Sequence, residues 1–428
     1  MKRHKKKFNI FKLLFGLIIG IILFLVIGIF ILKKVVKPVE EKEEDKTVYM
    51  MDLSNMDINT AKEELDKYNM DINIDYKYDD NIEKDKIISQ SIKKDTVILG
   101  KEKIDLVVSL GKRDLNKLKA DGINELGTVP IMMYHGIKNM RNIDTPNTGG
   151  NVDKDGYTRT VEAFRGDLDF YYQKGYRMVK LSDYVNGVIN TPYGKSPIVL
   201  TFDDGNDNNI LVTGLDEKGN IIIDPNSAVG VLEEYKKKYP DFNVTAIFFV
   251  TDALFNQPEY NEKILKWLVD NGYEVGNHTK GHNNLSNTSV ASTQEVVGYM
   301  YQKLESILGD KYSKILALPF GSPYVKSHTN YPYVVSGEYN GKKYETLAAL
   351  RVGWEPEVSP FHKDFDPTFL KRCRAYDNNG VEFDIKMVFG MLDTRRYISD
   401  GDSKTIITNR GNSGIIKENK DMEVIYYD

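Results

Sequence analysis

The sequence has very little cysteine. Cys373 is the one cysteine in 428 residues, so no disulfide can form within the chain. This excludes a disulfide-stabilised scaffold, although a lone cysteine does not by itself assign a cellular compartment. The chain is also too long for one compact domain of ordinary size, so two or more structural units are expected.

Outside the N-terminus, acidic residues outnumber basic ones. The first 37 residues carry nine lysines and arginines and no acidic residue, and because the whole chain has a net charge of −4, the remainder carries −13. An acidic body argues against nucleic-acid binding, which depends on neutralising phosphates. It also disfavours docking on anionic lipids or anionic wall polymers, so a neutral substrate fits better.

One long run without charge is present, at residues 13–32. A helix of about 20 apolar residues spans the hydrocarbon core of a bilayer. The basic flank before it favours a cytoplasmic N-terminus, and no small-residue cleavage site follows, although a cleaved signal peptide is the alternative. We therefore expect a cytoplasmic segment at 1–12, a single transmembrane helix at 13–32, a charged linker at 33–47 and an extracellular remainder anchored to the cell membrane.

Residues 48–112 have the pattern of a small α+β module. A helix is predicted at 59–69, where Thr60 and Glu63 have capping-box spacing, and strands are predicted at 70–78, 86–92 and 103–111. The module contains no histidine or cysteine, which suggests binding or spacing rather than chemistry. Its "IISQS" and "GKEKIDLVVSLG" segments resemble a PASTA repeat. That resemblance implies either binding of cell-wall muropeptides or a spacer, and both remain open.

After a linker at 113–128, strand-like and helix-like patterns alternate through residues 129–428. This alternation predicts a parallel sheet, open or closed as a barrel, with an active site at the carboxyl ends of its strands. A hairpin insertion is predicted at 211–224. The predicted strands are 129–137, 197–205, 243–251, 272–279, 314–322, 344–353 and 384–392, and the predicted helices are 161–176, 227–239, 260–273 and 293–309.

Polar side chains follow several of these predicted strands. His135, the pair Asp203 and Asp204, and the pair His278 and His282 each lie at a strand end. Taken singly, each could be an ordinary turn or loop residue. Taken together, two histidines and one aspartate suit a catalytic Zn²⁺ or similar ion with open coordination positions. A second carboxylate beside the ion could accept a proton from water.

These residues resemble the NodB-type polysaccharide deacetylases. The family motif T-F-D-D-G is present at 201–205, and H-[ST]-x-x-H is present at 278–282. The resemblance spans about 129–428 and implies a deformed (β/α) barrel that hydrolyses N-acetyl groups of a glycan with a divalent metal, zinc first and cobalt or another ion as alternatives. By position, it implies that Asp203 is the general base and that Asp204, His278 and His282 hold the metal.

Two further family motifs are altered. The motif R-x-P-[YF]-G reads "ALPFG", so Ala317 stands where an arginine normally orients the base. The backbone N–H of Phe320 can still stabilise an oxyanion. The Asp-rich motif that ends in tryptophan keeps only Trp354, which would either wall the acyl pocket or lie in the core.

The family's C-terminal histidine, which carries the acid, is missing, because no histidine follows His362. However, His135 in "MMYHG" resembles a rearranged branch, including exopolysaccharide deacetylases, whose acid histidine precedes T-F-D-D-G. The resemblance implies that His135 protonates the leaving amine, for which histidine is well suited. The alternative is that His135 only caps its strand.

The sequence therefore predicts a membrane-anchored extracellular N-deacetylase. Its expected substrate is the N-acetylglucosamine of peptidoglycan, and its partners are that glycan and the membrane, without nucleic acid. An exopolysaccharide deacetylase and a degenerate wall-binding protein are the alternatives. The choice between N-acetylglucosamine and N-acetylmuramic acid, the metal used in vivo and the group that orients Asp203 remain open.

Overall fold

A computed structural model describes residues 48–381 and 384–428. The predicted cytoplasmic segment, transmembrane helix and first linker lie outside these residues. Within the described ranges, no helix combines the length and apolar character needed to cross a membrane.

The chain divides into two compact units. The described part of the first consists of residues 48–52 and 92–102. It contains β1 (Val48–Tyr49) and β4 (Val97–Ile98), which pair in antiparallel fashion. The second unit consists of residues 53–91 and 103–428 and contains the candidate site.

The second unit begins with the helix and three strands predicted for the PASTA-like module. The order in this sheet is β2–β5–β3, with β2 parallel and β3 antiparallel to β5. The predicted capping box at Thr60 was wrong. The side chain of Asp57 accepts hydrogen bonds from the amides of Asn59 and Thr60, so the helix starts earlier. The elements are α1 (Ile58–Asp66), β2 (Asp71–Lys77), β3 (Ile87–Gln90) and β5 (Lys103–Ser109).

The segment predicted as the second linker is partly helical. It contains α2 (Leu115–Ala120), which Asp114 caps by accepting the amides of Asn116 and Lys117. Leu118 is buried on this short helix.

The remainder alternates strands with helices, as predicted. Its strands are β6 (Ile131–Tyr134), β7 (Ile137–Lys138), β8 (Arg159–Thr160), β9 (Tyr176–Met178), β10 (Ser196–Phe202), β11 (Val212–Leu215), β12 (Ile221–Ile223), β13 (Ile247–Val250), β14 (Glu274–Asn277), β15 (Ile315–Ala317), β16 (Ser336–Tyr339), β17 (Lys342–Glu345), β18 (Ala348–Leu350), β19 (Cys373–Arg374), β20 (Thr405–Asn409) and β21 (Glu423–Tyr427). Its helices are α3 (Val161–Gln173), α4 (Leu181–Val185), α5 (Ala228–Lys238), α6 (Asn261–Asp270), α7 (Val290–Leu308), α8 (Tyr331–Val335) and α9 (Ile385–Leu392).

The main sheet is parallel and strongly curved. Its strand order is β18–β15–β14–β13–β10–β6–β19, and β9 pairs with the start of β10. The two edges approach each other through a single parallel bridge between Leu350 and Leu370, just before β19. The result is a partial barrel joined by one bridge rather than a full ladder, and the hairpin of β11 and β12 confirms the predicted insertion.

Strand alternation separates two layers of core. On β10, Ile198, Leu200 and Phe202 belong to the cluster that includes buried side chains of α3, α5 and α6. Val199 faces the opposite way and packs with residues of neighbouring strands, such as Ile131 and Ile247. Side chains two residues apart share a face, so this inner face continues along β10 toward its carboxyl end.

One predicted strand was wrong. Residues 384–392 contain α9, because Asp384 accepts the amides of Lys386 and Met387 and so caps a helix. The buried residues of α9 are spaced three or four apart, which suits one helical face. These residues are Ile385, Val388, Phe389 and Leu392.

A buried polar network anchors the end of β6. The hydroxyl of Tyr134 lies 3.2 Å from Asp167 and 2.8 Å from the hydroxyl of Tyr171. Asp167 pairs with Arg159 at 2.8 Å, and Arg159 also donates to the side chain of Asn151. The network therefore fixes both the strand that leads to His135 and the loop that precedes β8.

Substitution of Arg159 tests this network. Arg159→Met leaves the buried Asp167 carboxylate without its cation, so we expect the free energy of unfolding to fall by about 3–5 kcal/mol. Urea denaturation measures this change. The matched control is Arg141→Met, since Arg141 is 73% exposed in its pair with Asp144 and its loss should leave the free energy of unfolding nearly unchanged. Equal effects of the two substitutions would contradict a structural role for the network.

Candidate active site

The carboxyl ends of the parallel strands bring the predicted site residues together. His135 follows β6, Asp203 and Asp204 follow β10, and His278 follows β14. His282 lies in the short turn after β14, and its ring lies 4.8 Å from that of His278. The site thus forms at the edge of the sheet where parallel α/β folds place their active sites.

Asp204, His278 and His282 form a candidate metal centre. The Oδ1 atom of Asp204 lies 3.3 Å from the Nε2 atom of each histidine. The possible ligand atoms of all three residues lie within 4.8 Å of one another. Two ligands of a tetrahedral zinc ion, at about 2.0–2.1 Å from the metal, lie about 3.3 Å apart. The spacing of these atoms therefore suits such an ion.

The hydrogen bonding of His278 also fits a cation at this position. Its Nδ1 lies 2.8 Å from the carbonyl oxygen of Ala317 and can donate to it, which leaves a lone pair on Nε2. Within the described chain, Asp204 Oδ1 and His278 Nε2 are buried without a hydrogen-bond partner. Burial lowers the pKa of His278, but Asp204 and Asp203 outweigh it and raise that pKa. The position thus attracts positive charge, as a metal site must.

The backbone around the site adopts an unusual conformation. Four residues other than glycine have positive φ angles, namely Asp204 (76°), Thr279 (64°), His282 (50°) and Phe320 (57°). Each such angle costs about 1–3 kcal/mol and persists where the surrounding structure enforces it. The next residue, Gly205, also has no room for a side chain, because a Cβ would lie 2.2 Å from a backbone oxygen.

A guanidinium that the motifs did not predict holds Asp203. Arg372 donates from both terminal nitrogens to the two carboxylate oxygens of Asp203, each at 2.7 Å. It also donates to the Thr201 hydroxyl and to the carbonyl of Arg351, and its side chain is fully buried. Arg372 therefore supplies the orienting charge that Ala317 cannot.

Sequence reasoning missed Arg372 because no motif marks it. It directly precedes β19, which is only two residues long, and it lies 169 residues from Asp203 in the chain. One sequence signal could have revealed it, namely the alternation of Arg372 and Arg374 around Cys373, which is buried. A buried carboxylate needs a nearby cation, and an arginine in such an alternating segment could supply one.

The charges around Asp203 keep it ionised. Burial works to raise the pKa of Asp203, but Arg372, followed by His278, holds that pKa well below its usual range. The Nε2 atom of His135 lies 4.0 Å from Asp203 Oδ2. Burial lowers the pKa of His135, and the nearby carboxylates oppose that shift only in part. Asp203 can therefore accept a proton, although only as a weak base.

The side chain of His135 lies in the site. Its ring stands edge-on to that of Tyr157, with ring centres 4.7 Å apart. Its Nδ1 atom is buried without a hydrogen-bond partner within the described ranges. The carbonyl oxygen of His135 accepts a hydrogen bond from the side chain of Asn209. This bond holds the backbone in place and leaves the imidazole available.

Two aromatic residues predicted to bind substrate are solvent-exposed. The ring of Phe320 lies 4.7 Å from that of His282 and is 53% exposed. Phe320 is also near the start of a short helical turn, where backbone N–H groups lack partners within the turn. Trp354 is 52% exposed on the loop after β18, so the alternative that it is a core residue was wrong.

Two segments of the chain match models of known protein families. Residues 190–332 match the polysaccharide deacetylase family model. That range contains Asp203 and the candidate metal triad but neither His135 nor Arg372. Residues 48–110 match the PASTA domain model. No curated protein is significantly similar to the chain.

The polysaccharide deacetylase match is accompanied by similarity to solved deacetylase structures. The Streptococcus pyogenes deacetylase PplD in complex with acetate has a TM-score of 0.43 and 17% identity, over 61% of this chain and 97% of PplD. A de-N-acetylase from Aggregatibacter actinomycetemcomitans has a TM-score of 0.38 and 12% identity, over 57% and 93%. The Bacillus subtilis peptidoglycan deacetylase PdaC has a TM-score of 0.22 and 23% identity, over 32% and 55%.

Substitution of Arg372 tests what keeps Asp203 ionised. In Arg372→Met the carboxylate remains buried but loses its cation, so we expect the pKa of Asp203 to rise above its ordinary value. Carbon-13 NMR of the Asp203 carboxyl during a pH titration measures this shift. The control is Arg410→Met, which removes an exposed charge that pairs with Asp428. An unchanged pKa in Arg372→Met would contradict the assignment.

Proposed function

We propose that this protein is a metal-dependent N-deacetylase that removes acetyl groups from N-acetylated amino sugars of a cell-wall glycan. Peptidoglycan N-acetylglucosamine is the leading substrate. The observation that carries the proposal is the position of a carboxylate held by arginine, Asp203, beside a triad suited to a divalent ion. The polysaccharide deacetylase match supports the reaction class, and the PASTA match supports a cell-wall setting.

A divalent ion held by Asp204, His278 and His282 would polarise the acetyl carbonyl and lower the pKa of a water molecule. Asp203 accepts the proton of that water. Arg372 occupies one side of each carboxylate oxygen, which leaves further lone pairs for this task. The guanidinium thereby fixes the direction in which the base acts.

His135 completes the proton path. Because Asp203 is a weak base, it gives up a proton that it accepts, and one water molecule can carry that proton to His135, whose Nε2 atom lies 4.0 Å from Asp203 Oδ2. A histidine with a lowered pKa gives that proton easily to the departing amine. The Phe320 N–H stabilises the oxyanion.

We also propose that residues 13–32 anchor the protein in the cell membrane, with the N-terminus in the cytoplasm and the deacetylase region outside. The basic flank and the 20 uncharged residues support this proposal. The partners are then the membrane, through this helix, and the wall glycan.

Two alternatives lead to different results. An exopolysaccharide deacetylase is favoured by the position of His135 ahead of the Asp203–Asp204 pair and by its location in the site. A degenerate wall-binding protein was suggested by the altered motifs. Arg372 weakens that alternative, because it supplies the charge that the third motif lacks.

Metal content and acetate release test the function. We expect the full-length protein, purified from membranes, to release acetate from peptidoglycan and from N-acetylglucosamine oligomers. His278→Ala should lose both bound metal and turnover, whereas Asp203→Asn should keep metal and lose turnover by about 10²-fold or more. Full acetate release by Asp203→Asn would disprove its role as base. Metal binding without acetate release by the wild type would favour the degenerate wall-binding protein.

Fractionation of cells tests the membrane anchor. Recovery of the full-length protein in the soluble fraction would contradict it.

A change of leaving group tests His135 as the acid. Amine departure from an acetamide needs a proton, so His135→Gln should slow acetamide hydrolysis by about 10²–10⁴-fold. A phenolate, with a pKa near 10, leaves without protonation, so hydrolysis of an aryl acetate should fall far less. Steady-state rates on both substrates measure the difference. Equal loss on both would mean that His135 only supports the fold of the site.

A further inference from the structure

A second arginine, Arg374, lies at the reactive edge of the sheet. Residues two apart on a strand share a face, so Arg374 faces the same side as Arg372, which holds Asp203. Arg374 is in register with Met133 of β6, two residues before His135. It therefore lies on the inner face of the sheet, nearer the carboxyl edge than Arg372.

Aromatic rings frame the guanidinium of Arg374. It lies 4.9 Å from the ring centre of Tyr157 and 6.0 Å from that of Tyr376. It donates to the Tyr157 hydroxyl at 3.1 Å and to the carbonyl of Asp155 at 3.3 Å. Arginine has five N–H donors, so among the described residues these two neutral acceptors leave most of its hydrogen-bonding capacity unused.

Among the residues that the structure describes, the charge of Arg374 has no close counterion. Within residues 48–381 and 384–428, no side-chain carboxylate oxygen lies within 4.0 Å of it, whereas Arg372 is paired with Asp203. The neighbouring carboxylate of Asp153 instead accepts backbone amides of its own loop. An arginine that is held in place, partly shielded and without a carboxylate partner is suited to an anionic ligand.

The loop that carries Tyr157 is also held in place. Arg159 fixes its neighbouring turn through Asn151, and Gly156 lies so close to Tyr376 that a Cβ would be 2.2 Å from the ring. Tyr157 in turn contacts His135. Arg374 is thus separated from the proposed acid by one side chain.

We propose that Arg374, framed by Tyr157 and Tyr376, binds a carboxylate of the glycan, on or next to the sugar that is deacetylated. This rests on the proposed deacetylase function. A guanidinium can bind a carboxylate through two parallel hydrogen bonds, and a neutral N-acetylglucosamine oligomer offers no such group. In peptidoglycan the carboxylate comes either from the lactic acid ether of the alternate sugar or from the peptide attached to it.

This inference refines the expectation of a neutral substrate. The net charge of −13 outside the basic N-terminus acts at long range, where salt screens it over about 8 Å at physiological ionic strength. Recognition by Arg374 acts at contact distance. A protein that is acidic overall can therefore still select a carboxylate at one point of its site.

Matched glycan strands test the inference with the zinc-loaded full-length protein. The substrates are peptidoglycan strands without peptides, the same strands with their lactyl carboxylates capped as methylamides, and strands with peptides retained. We expect faster acetate release from a strand with free carboxylates than from the capped one. Arg374→Gln removes a charged hydrogen bond, so it should reduce kcat/KM on the strand with free carboxylates at least about tenfold. The ratio of kcat/KM on the free strand to kcat/KM on the capped strand should then fall to near one. Arg374→Lys should restore part of the ratio, and Arg410→Gln should leave it unchanged.

Each outcome supports or overturns the inference. Preference for strands without peptides assigns the lactyl carboxylate, and preference for strands with peptides assigns the peptide. An equal loss on free and capped strands in Arg374→Gln would show that Arg374 only supports Tyr157, and the absence of any preference in the wild type would also overturn the inference. Calorimetric binding of the same strands to Asp203→Asn, with and without Arg374→Gln, decides the question independently of turnover. Failure of acetate release on every strand would instead refute the proposed function.

Discussion

The buried pair between Arg372 and Asp203 is the interaction on which the candidate site depends. It joins the segment before the edge strand β19 to the end of β10, with β6 between those two strands. Burial of both charges is costly, and only close two-point hydrogen bonding offsets that cost. Without the guanidinium, the buried Asp203 would favour its neutral form and could not accept a proton. The pair thus connects the closure of the sheet to the chemistry at its edge.

The rest of the site follows from the alternation of strand residues. The inner face carries apolar side chains through the middle of the barrel, then polar ones at the carboxyl ends. Asp204, His278 and His282 meet there because the strands that precede them, β10 and β14, are parallel and have only β13 between them. The positive φ angles of Asp204 and His282 turn these side chains toward one another at some cost in conformational energy. Much of the strain in this region is therefore associated with residues that have proposed functional roles.

Charge is distributed unevenly over this protein. Asp203 and Asp204 attract a proton or a metal to one point, while Arg372 and Arg374 bring positive charge to the same edge of an otherwise acidic chain. The two arginines have different surroundings, since Arg372 is fully buried against a carboxylate and Arg374 lies between tyrosine rings. Arg372 holds Asp203, the proposed base, and Arg374 is proposed to contact the substrate. Two arginines on either side of Cys373 can thus serve different steps of recognition and reaction.

The sequence by itself determined the local features of this protein. Strand and helix periodicity identified most elements of the parallel sheet, and the motifs around Asp203 and His278 identified the candidate metal site, because both depend on residues that are close in the chain. The helix at 385–392 was missed, since a short apolar run suits either a strand or a buried helix until its cap at Asp384 is recognised. Only the tertiary structure decided that Arg372 orients Asp203. The register of β19 beside β6 brings them together across 169 residues, and no local pattern encodes such a contact.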